Sequence, residues 1–482
     1  MAKMLRISPG EYADRMRRLR SNIAAEGLDA FVVSSFDSIY YLTGKGFEPL
    51  ERPFFLLVRP DRPPKLLVAK LEELHLAEAH NLEKEDIETY WEYPAPKGRR
   101  WPEKLCTLAS NCREIAVEPS ISQECVEELS SFPVRCLPLV ERLRRVKSVT
   151  EIGLIRRAAH YADYGVERLL STSYYGATVA EGFAQTRTVT SRIIREVDDW
   201  QPLTSKVVMA SWAAPRSAQP HSIPDLVDEL REGPHVALVL TQVNGYAAEG
   251  ERTYFTAQPS DDARRAFKAM LEARQLALSL VRPGVGCSEL DERVNAFLTE
   301  EGYADEDQRL HRTGHGLGLG NHEGPWLAEG SADRLSENMV ISIEPGIYLQ
   351  DLGGFRHSDT VRVTADGYEL LTNLPTDIES LTVKGWKPVT RLRGSFVRWA
   401  LGVKQKRQAL SSLGTFKGLF VRDGSSFGDK HFGASAVAGG SWPILQVGEN
   451  PATALVFDAP NDTSKELVEL ETRNTKAAAG SC

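Results

Sequence analysis

Four short segments concentrate the residues able to do chemistry. They are WAAPRSAQPH at 212–221, GYAAEGERTYF at 245–255, TGHGLGLGNHEGP at 313–325 and IEPGIYLQDLGGFRHSD at 343–359. Together they supply His221, Glu249, Glu251, His315, His322, Glu344, Arg356 and Ser358. Each lies beside glycine or proline, where a sharp backbone bend presents side chains to a cleft. Imidazoles exchange protons near neutral pH, and imidazoles grouped with carboxylates hold divalent cations. A lone histidine is more often a hydrogen-bonded surface or core residue. Four such segments in one stretch of chain point to a site.

Their order and wording, above all TGHGLGLGNHEGP followed by IEPGIY and GGFR, resemble the Xaa-Pro aminopeptidase, prolidase and creatinase family. The resemblance covers about residues 9–375. It implies an α/β creatinase-type N-terminal domain, marked by IYYLTG, followed by an α+β catalytic domain with the pita-bread fold. It also implies two divalent metals on five ligands, a pair that generates a hydroxide nucleophile and polarises the scissile carbonyl. On this sequence the ligand positions fall on Leu238, Glu249, His315, Glu344 and Ser358. Leucine and serine cannot replace bridging carboxylates, and Glu249 is one methylene longer than the aspartate it stands for. A two-metal site is therefore not expected.

The first expectation is creatinase-like hydrolysis of a C–N bond without a resident metal, in a small nitrogen compound or short peptide. His221 then acts as acid and base, Glu251 and Glu344 as carboxylates, and His315 and His322 orient the substrate or stabilise an oxyanion. Arg52, Arg356 and Ser358 are the expected substrate-binding residues, Arg52 as a bidentate carboxylate clamp. The competing reading keeps one divalent metal on Glu249, His315 and Glu344, in a hydrolase of dipeptides or proline-containing substrates. A third makes the chain a non-catalytic peptide-binding relative, and a fourth a scaffold recruited through its basic tail. Creatinase-like relatives imply a homodimer. His311 is placed on a loop rim, His357 on the opposite strand face, Asp359 as a brace, and Arg252 in a strand-holding salt bridge.

The elements that must position these groups are legible from periodicity. Residues 9–27 read as an amphipathic helix from a Ser-Pro cap to Gly27. DAFVVSS, SIYYLTG, FFLLVRP, PKLLVA and REIAVEP read as strands, and LEELHLAEAHNL as a helix. Three further helices begin near Thr150, taken as N-cap, at DDARRAFKAM, and at SELDERVNAF with Ser288 and Asp291 spaced as a capping box. HVALVLTQV, GYAAEGERTYFTA, MVISIEPGIYL and DTVRVTADGYELLT read as strands of antiparallel hairpins. The expected domains are 1–145, 146–385 and a partly disordered C-terminal extension, 386–482, that opens with the basic amphipathic stretch RLRGSFVRWALGVKQKRQAL.

The 482 residues exceed one ordinary core. The net charge of −8 argues against a nucleic-acid binder. No run of 18 apolar residues signals a membrane span, and no signal-type apolar segment opens the chain, so a cytoplasmic enzyme is expected. Of the six cysteines, Cys106, Cys112, Cys125 and Cys136 form no C-x-x-C pair and read as plain thiols.

Overall fold

The computed structural model describes residues 5–403, apart from 49, 93 and 386, and three short strands beyond them, Phe432–Ala434, Ile444–Val447 and Ala454–Val456. Most of the C-terminal extension lies outside the described residues. The first unit is a six-stranded mixed sheet. Its strands are Ala30–Val33 (β1), Phe55–Val58 (β2), Lys65–Ala69 (β3), Ile87–Tyr90 (β4), Ile115–Val117 (β5) and Val134–Cys136 (β6), ordered β4-β3-β2-β1-β5-β6. The long helix Val149–Thr172 opens the second unit and packs on its sheet.

That second sheet is antiparallel. It contains Lys206–Trp212 (β7), His235–Val243 (β8), Tyr246–Tyr254 (β9), Gly314–Gly316 (β10), Glu323–Leu327 (β11) and Val340–Ile343 (β12). Gly346–Leu349 (β13) and Gly353–Arg356 (β14) form a separate hairpin, and Ser358–Val363 (β15) and Tyr368–Leu370 (β16) complete the set. The order is β11-β10-β12-β15-β9-β8-β7, with β16 on β15. The mixed N-terminal sheet and the antiparallel sheet with long helices match the expected fold classes.

Local chemistry explains the pivotal hairpin. Asn244 and Gly245 both have positive φ, 49° and 90°, as a two-residue primed turn requires. The turn pairs Val243 with Tyr246 and fixes the register of β8 on β9. A side chain at 245 would strike the Tyr40 ring of the N-terminal unit, so glycine also lets the two units meet. Arg15 of the first helix, bonded to the Tyr41 carbonyl in its own unit, crosses the same junction to the Tyr246 hydroxyl and Glu151.

Several expected elements differ. SIYYLTG is a helix, Phe36–Thr43, capped by Ser35 and closed by left-handed Gly44; a short apolar run is ambiguous between strand and helix. LEELHLAEAHNL holds only the end of the 3-10 turn Lys70–Glu72, with Leu71 and Leu74 exposed and Leu76, Ala79 and Leu82 buried from an irregular backbone. The cap of the long helix is Ser148, not Thr150, and Glu151 completes a capping box with it. Ser288 caps nothing: its helix, Cys287–Glu300, follows Gly286, and Asp291 instead accepts the Thr313 and Glu329 amides. Cys106, Cys112, Cys125 and Cys136 are free thiols. The basic helix Pro388–Ala400 is anchored by buried Arg398 on Glu181 and Tyr174. No helix among the described residues is long and apolar enough to cross a membrane.

The back of the second sheet holds a buried ion cluster. Asp359 takes Arg252 Nη2 and Arg274 Nε, each at 2.7 Å, and the Thr372 hydroxyl at 3.0 Å. Arg252 also bonds the carbonyls of Glu251, Ser358, Leu374 and Pro375. Burial opposes ionisation of Asp359, but the two guanidinium groups outweigh it and hold the carboxyl well below its usual range. Asp359→Asn is expected to cost about 3–5 kcal/mol, because it strands two buried cations. A carboxyl depressed in the folded state stabilises above its unfolded pKa of about 3.9 and loses that contribution as pH falls. Urea unfolding from about pH 7 to about pH 3 should therefore show a shallower decline in the variant.

Candidate active site

Strand register sets the floor of the site. Glu251 on β9 lies opposite Leu238 on β8 and opposite Ser358 on β15. Directly paired residues share a sheet face, so a row Leu238–Glu251–Ser358 forms. Leu240 pairs with Glu249 in the next row. All nine residues of β9 are buried, its two glutamates included. Glu344 follows β12, and His315 sits mid-β10, both buried.

His315 is the centre. Its Nε2 lies 2.9 Å from Glu344 Oε1 and 3.7 Å from Glu249 Oε1. Nδ1 is 3.0 Å from the Gly316 carbonyl oxygen, to which it donates. Among the described residues Nε2 is buried, and its nearest acceptor is Glu344 Oε1, off ideal hydrogen-bond geometry. The His322 ring stands 4.0 Å from the His315 ring. Ligand atoms of Glu249, His315 and His322 all lie within 4.8 Å of one another.

Three buried carboxylates crowd this pocket. Glu251 is forked by Arg356, Nη2 on Oε1 at 3.0 Å and Nε on Oε2. Arg356 Nη1 also donates to the Tyr348 hydroxyl. Glu249 accepts the Ser358 hydroxyl at 2.8 Å. Burial, then the charge of Glu344, pushes Glu249 upward, and burial raises Glu251 against the pull of Arg356. Burial also opposes ionisation of Glu344, but His311, His315 and Arg356 outweigh it and keep the carboxyl low. Burial holds His311 at about 4, so near neutrality His315 and Arg356 carry that charge. His315 itself resists burial and rises to about 9 through Glu249 and Glu344. The pocket therefore calls for a cation beside Arg356.

The expected residues separate into three groups. His315, His322, Glu249, Glu251, Glu344, Arg356 and Ser358 converge. His221 is exposed, with its ring 5.6 Å from that of His311; burial and Arg356 lower its pKa. Arg52 is held away, with Nε on Glu92 and Nη1 on Glu51 in the N-terminal unit. Two roles need correction. Glu251 is not a free base or anchor, because Arg356 takes both oxygens. Arg356 and Ser358 face the protein's own carboxylates, where substrate-binding groups were expected. His311 was placed on a rim, yet it faces Glu344 and His221; nothing in the motif spacing signals this. His357 is buried against Phe267, off the site, as the alternation of strand faces predicts.

Residues 15–146 match the creatinase/prolidase N-terminal domain, and residues 154–365 match metallopeptidase family M24. The chain is 30% identical over 371 residues to an Xaa-Pro dipeptidase of Lactobacillus helveticus, covering 74% of this chain and 96% of that one. It belongs to metallopeptidase family M24. The dipeptidase PepE of Mycobacterium ulcerans superposes with a TM-score of 0.68 at 25% identity, covering 78% of this chain and 99% of that one. The prolidase of Pyrococcus horikoshii OT3 superposes with 0.64 at 23% identity, over 75% and 99%. This M24 chain is a hydrolase acting on C–N bonds, built as a creatinase-type domain followed by a pita-bread domain. The two-cation centre fits poorly here, since Leu238 and Ser358 offer no carboxylate. The donor set fits a single cation better: ligand atoms of Glu249, His315 and His322 lie within 4.8 Å of one another, beside Glu344.

Arg356→Met should cost about 3–5 kcal/mol by leaving Glu251 buried and unpaired, and the double variant Arg356→Met/Glu251→Leu should recover most of it. Chemical unfolding of the four proteins of this cycle measures the coupling. Additive losses would dissolve the proposed pair.

Proposed function

We propose that this chain hydrolyses the C–N bond of a dipeptide, of Xaa-Pro type or similar, with one divalent cation held by Glu249, His315 and His322 beside Glu344. The reading rests on one observation: ligand atoms of Glu249, His315 and His322 lie within 4.8 Å of one another, with Glu344 Oε1 2.9 Å from His315 Nε2. The ligand set differs from the expected Glu249, His315 and Glu344 by the arrival of His322. Two histidines and a glutamate are a known catalytic donor set with open positions. A cation there polarises the scissile carbonyl and acidifies water.

The chain's own residues then divide the work. Glu344, kept ionised, accepts a proton from the attacking water. His221, exposed at the mouth, receives that proton and relays it to the leaving nitrogen, which leaves Glu344 ionised for the next turnover. The Arg356–Glu251 fork balances charge and blocks Glu251 from seizing a cationic substrate, which argues against a creatine-like compound. The likeness to Xaa-Pro dipeptidases supports the substrate class. A homodimer, in which Arg52 of a second copy enters the cleft, belongs to the same proposal.

The metal-free reading has one observation in its favour: as an imidazolium, His315 supplies the missing positive charge by itself. Metal analysis of purified protein, with Xaa-Pro dipeptide turnover before and after chelation, separates the two. We expect about one divalent ion per chain and turnover lost on chelation. His315→Ala should lose both, and His221→Ala should lower turnover about 10²–10⁴-fold with metal retained. Leu238→Asp/Ser358→Glu should raise the metal content towards two. Chelator-resistant turnover in metal-free protein would overturn the one-cation reading.

A further inference from the structure

The helix Pro388–Ala400 sits the wrong way round for a surface helix. Its polar side faces the protein. Arg398 Nη1 donates to the Tyr174 hydroxyl and pairs with Glu181, all three residues buried. Arg391 lies over the Tyr174 ring and donates to the Tyr175 carbonyl. A Cβ at 394 would strike the Glu181 carboxylate and the Tyr174 hydroxyl, so Gly394 sets how closely the helix seats. The apolar side faces out: Val389 is 61% exposed, Leu392 51%, Phe396 63% and Trp399 73%. Helical spacing joins these four into one continuous row, and the ring centroids of Phe396 and Trp399 lie 5.6 Å apart within it. A surface helix ordinarily buries such a row, and an exposed one marks a place of contact.

Charge identifies the contact. Residues 380–422 hold ten lysines and arginines and no aspartate or glutamate, in a chain of net charge −8. Arg393 flanks the apolar row and Lys384 precedes the helix, both exposed. An aromatic and aliphatic row with basic neighbours fits a layer that is apolar within and anionic at its surface. A bilayer of acidic lipid is such a layer. Nucleic acid or an acidic peptide offers the charge without the apolar depth. A two-fold pair of this chain would set the basic stretch against itself. We propose that this helix docks the protein on an anionic lipid surface. Val389, Leu392, Phe396 and Trp399 enter the acyl boundary, and Arg393 and Lys384 meet the headgroups. The helix lies in the plane of the surface and spans nothing. Nothing in this proposal depends on the catalytic reading, because it concerns binding alone.

Co-sedimentation of the full chain with lipid vesicles tests it. The chain should bind vesicles of equal parts phosphatidylcholine and phosphatidylglycerol at least about tenfold more tightly than pure phosphatidylcholine. Phe396→Ser/Trp399→Ser should weaken that binding at least about tenfold, and Lys384→Glu/Arg393→Glu should do the same. All four side chains are exposed, so the thermal midpoint of each variant should match wild type. Absent binding, equal binding to the two kinds of vesicle, or binding unchanged in either variant would overturn the proposal. A fall in the thermal midpoint of Phe396→Ser/Trp399→Ser would give the row a cover within the chain and overturn it. So would a self-association that this variant abolishes, because a second copy would then be the occupant. Polyaspartate binding as tight as the mixed vesicles would reduce the face to a plain polyanion site and overturn it too.

Discussion

Ionised groups buried on both faces of strand β9 govern this structure. Strand β9 places Glu249 and Glu251 forward and Arg252 backward, and all three are buried. A buried charge survives only if it is paired and hydrogen-bonded. On the back, Arg252 and Arg274 close on Asp359, and backbone carbonyls take the other donors of Arg252. On the front, Glu249, Glu251 and Glu344 share Arg356 and His315 as their described positive partners. The pull of that pocket on a further positive charge is what gives His315 its chemistry.

This imbalance explains why losing two family ligands does not simply erase the site. Leu238 and Ser358 remove acceptors on one side of the pocket, while Arg356 and Ser358 satisfy the carboxylates left there. The other side, around His315, keeps its donors. The cleft thus has one half where the carboxylates are paired within the protein and one half around His315 where ligand atoms of Glu249, His315 and His322 cluster. The half-buried Leu238 and Leu240 then give the His315 half an apolar neighbour.

Electrostatics also ties the two units together. Arg15 joins Glu151 and Tyr246 across the junction. Arg144 and Lys147 both close on Glu323, one residue beyond His322. The strands that carry the catalytic groups are thus pinned from the N-terminal side.

Much of this was legible in the sequence, for physical reasons. Asn-Gly between alternating apolar residues defines a hairpin by local backbone sterics, and with it the register that sets Glu249 and Glu251 on one face. The spacing of His315, His322 and Glu344 within glycine-rich motifs carried the family resemblance, and a leucine and a serine at ligand positions needed no coordinates to read. Strand alternation alone put His357 off the site. What the sequence could not hold is pairing between distant segments. That Arg356 spends both donors on Glu251, that Asp359 draws in Arg274 from a helix 85 residues away, and that His322 rather than Glu344 completes the compact donor set are consequences of strands brought together. Charge balance is a property of a volume, and only tertiary structure decides which residues share one.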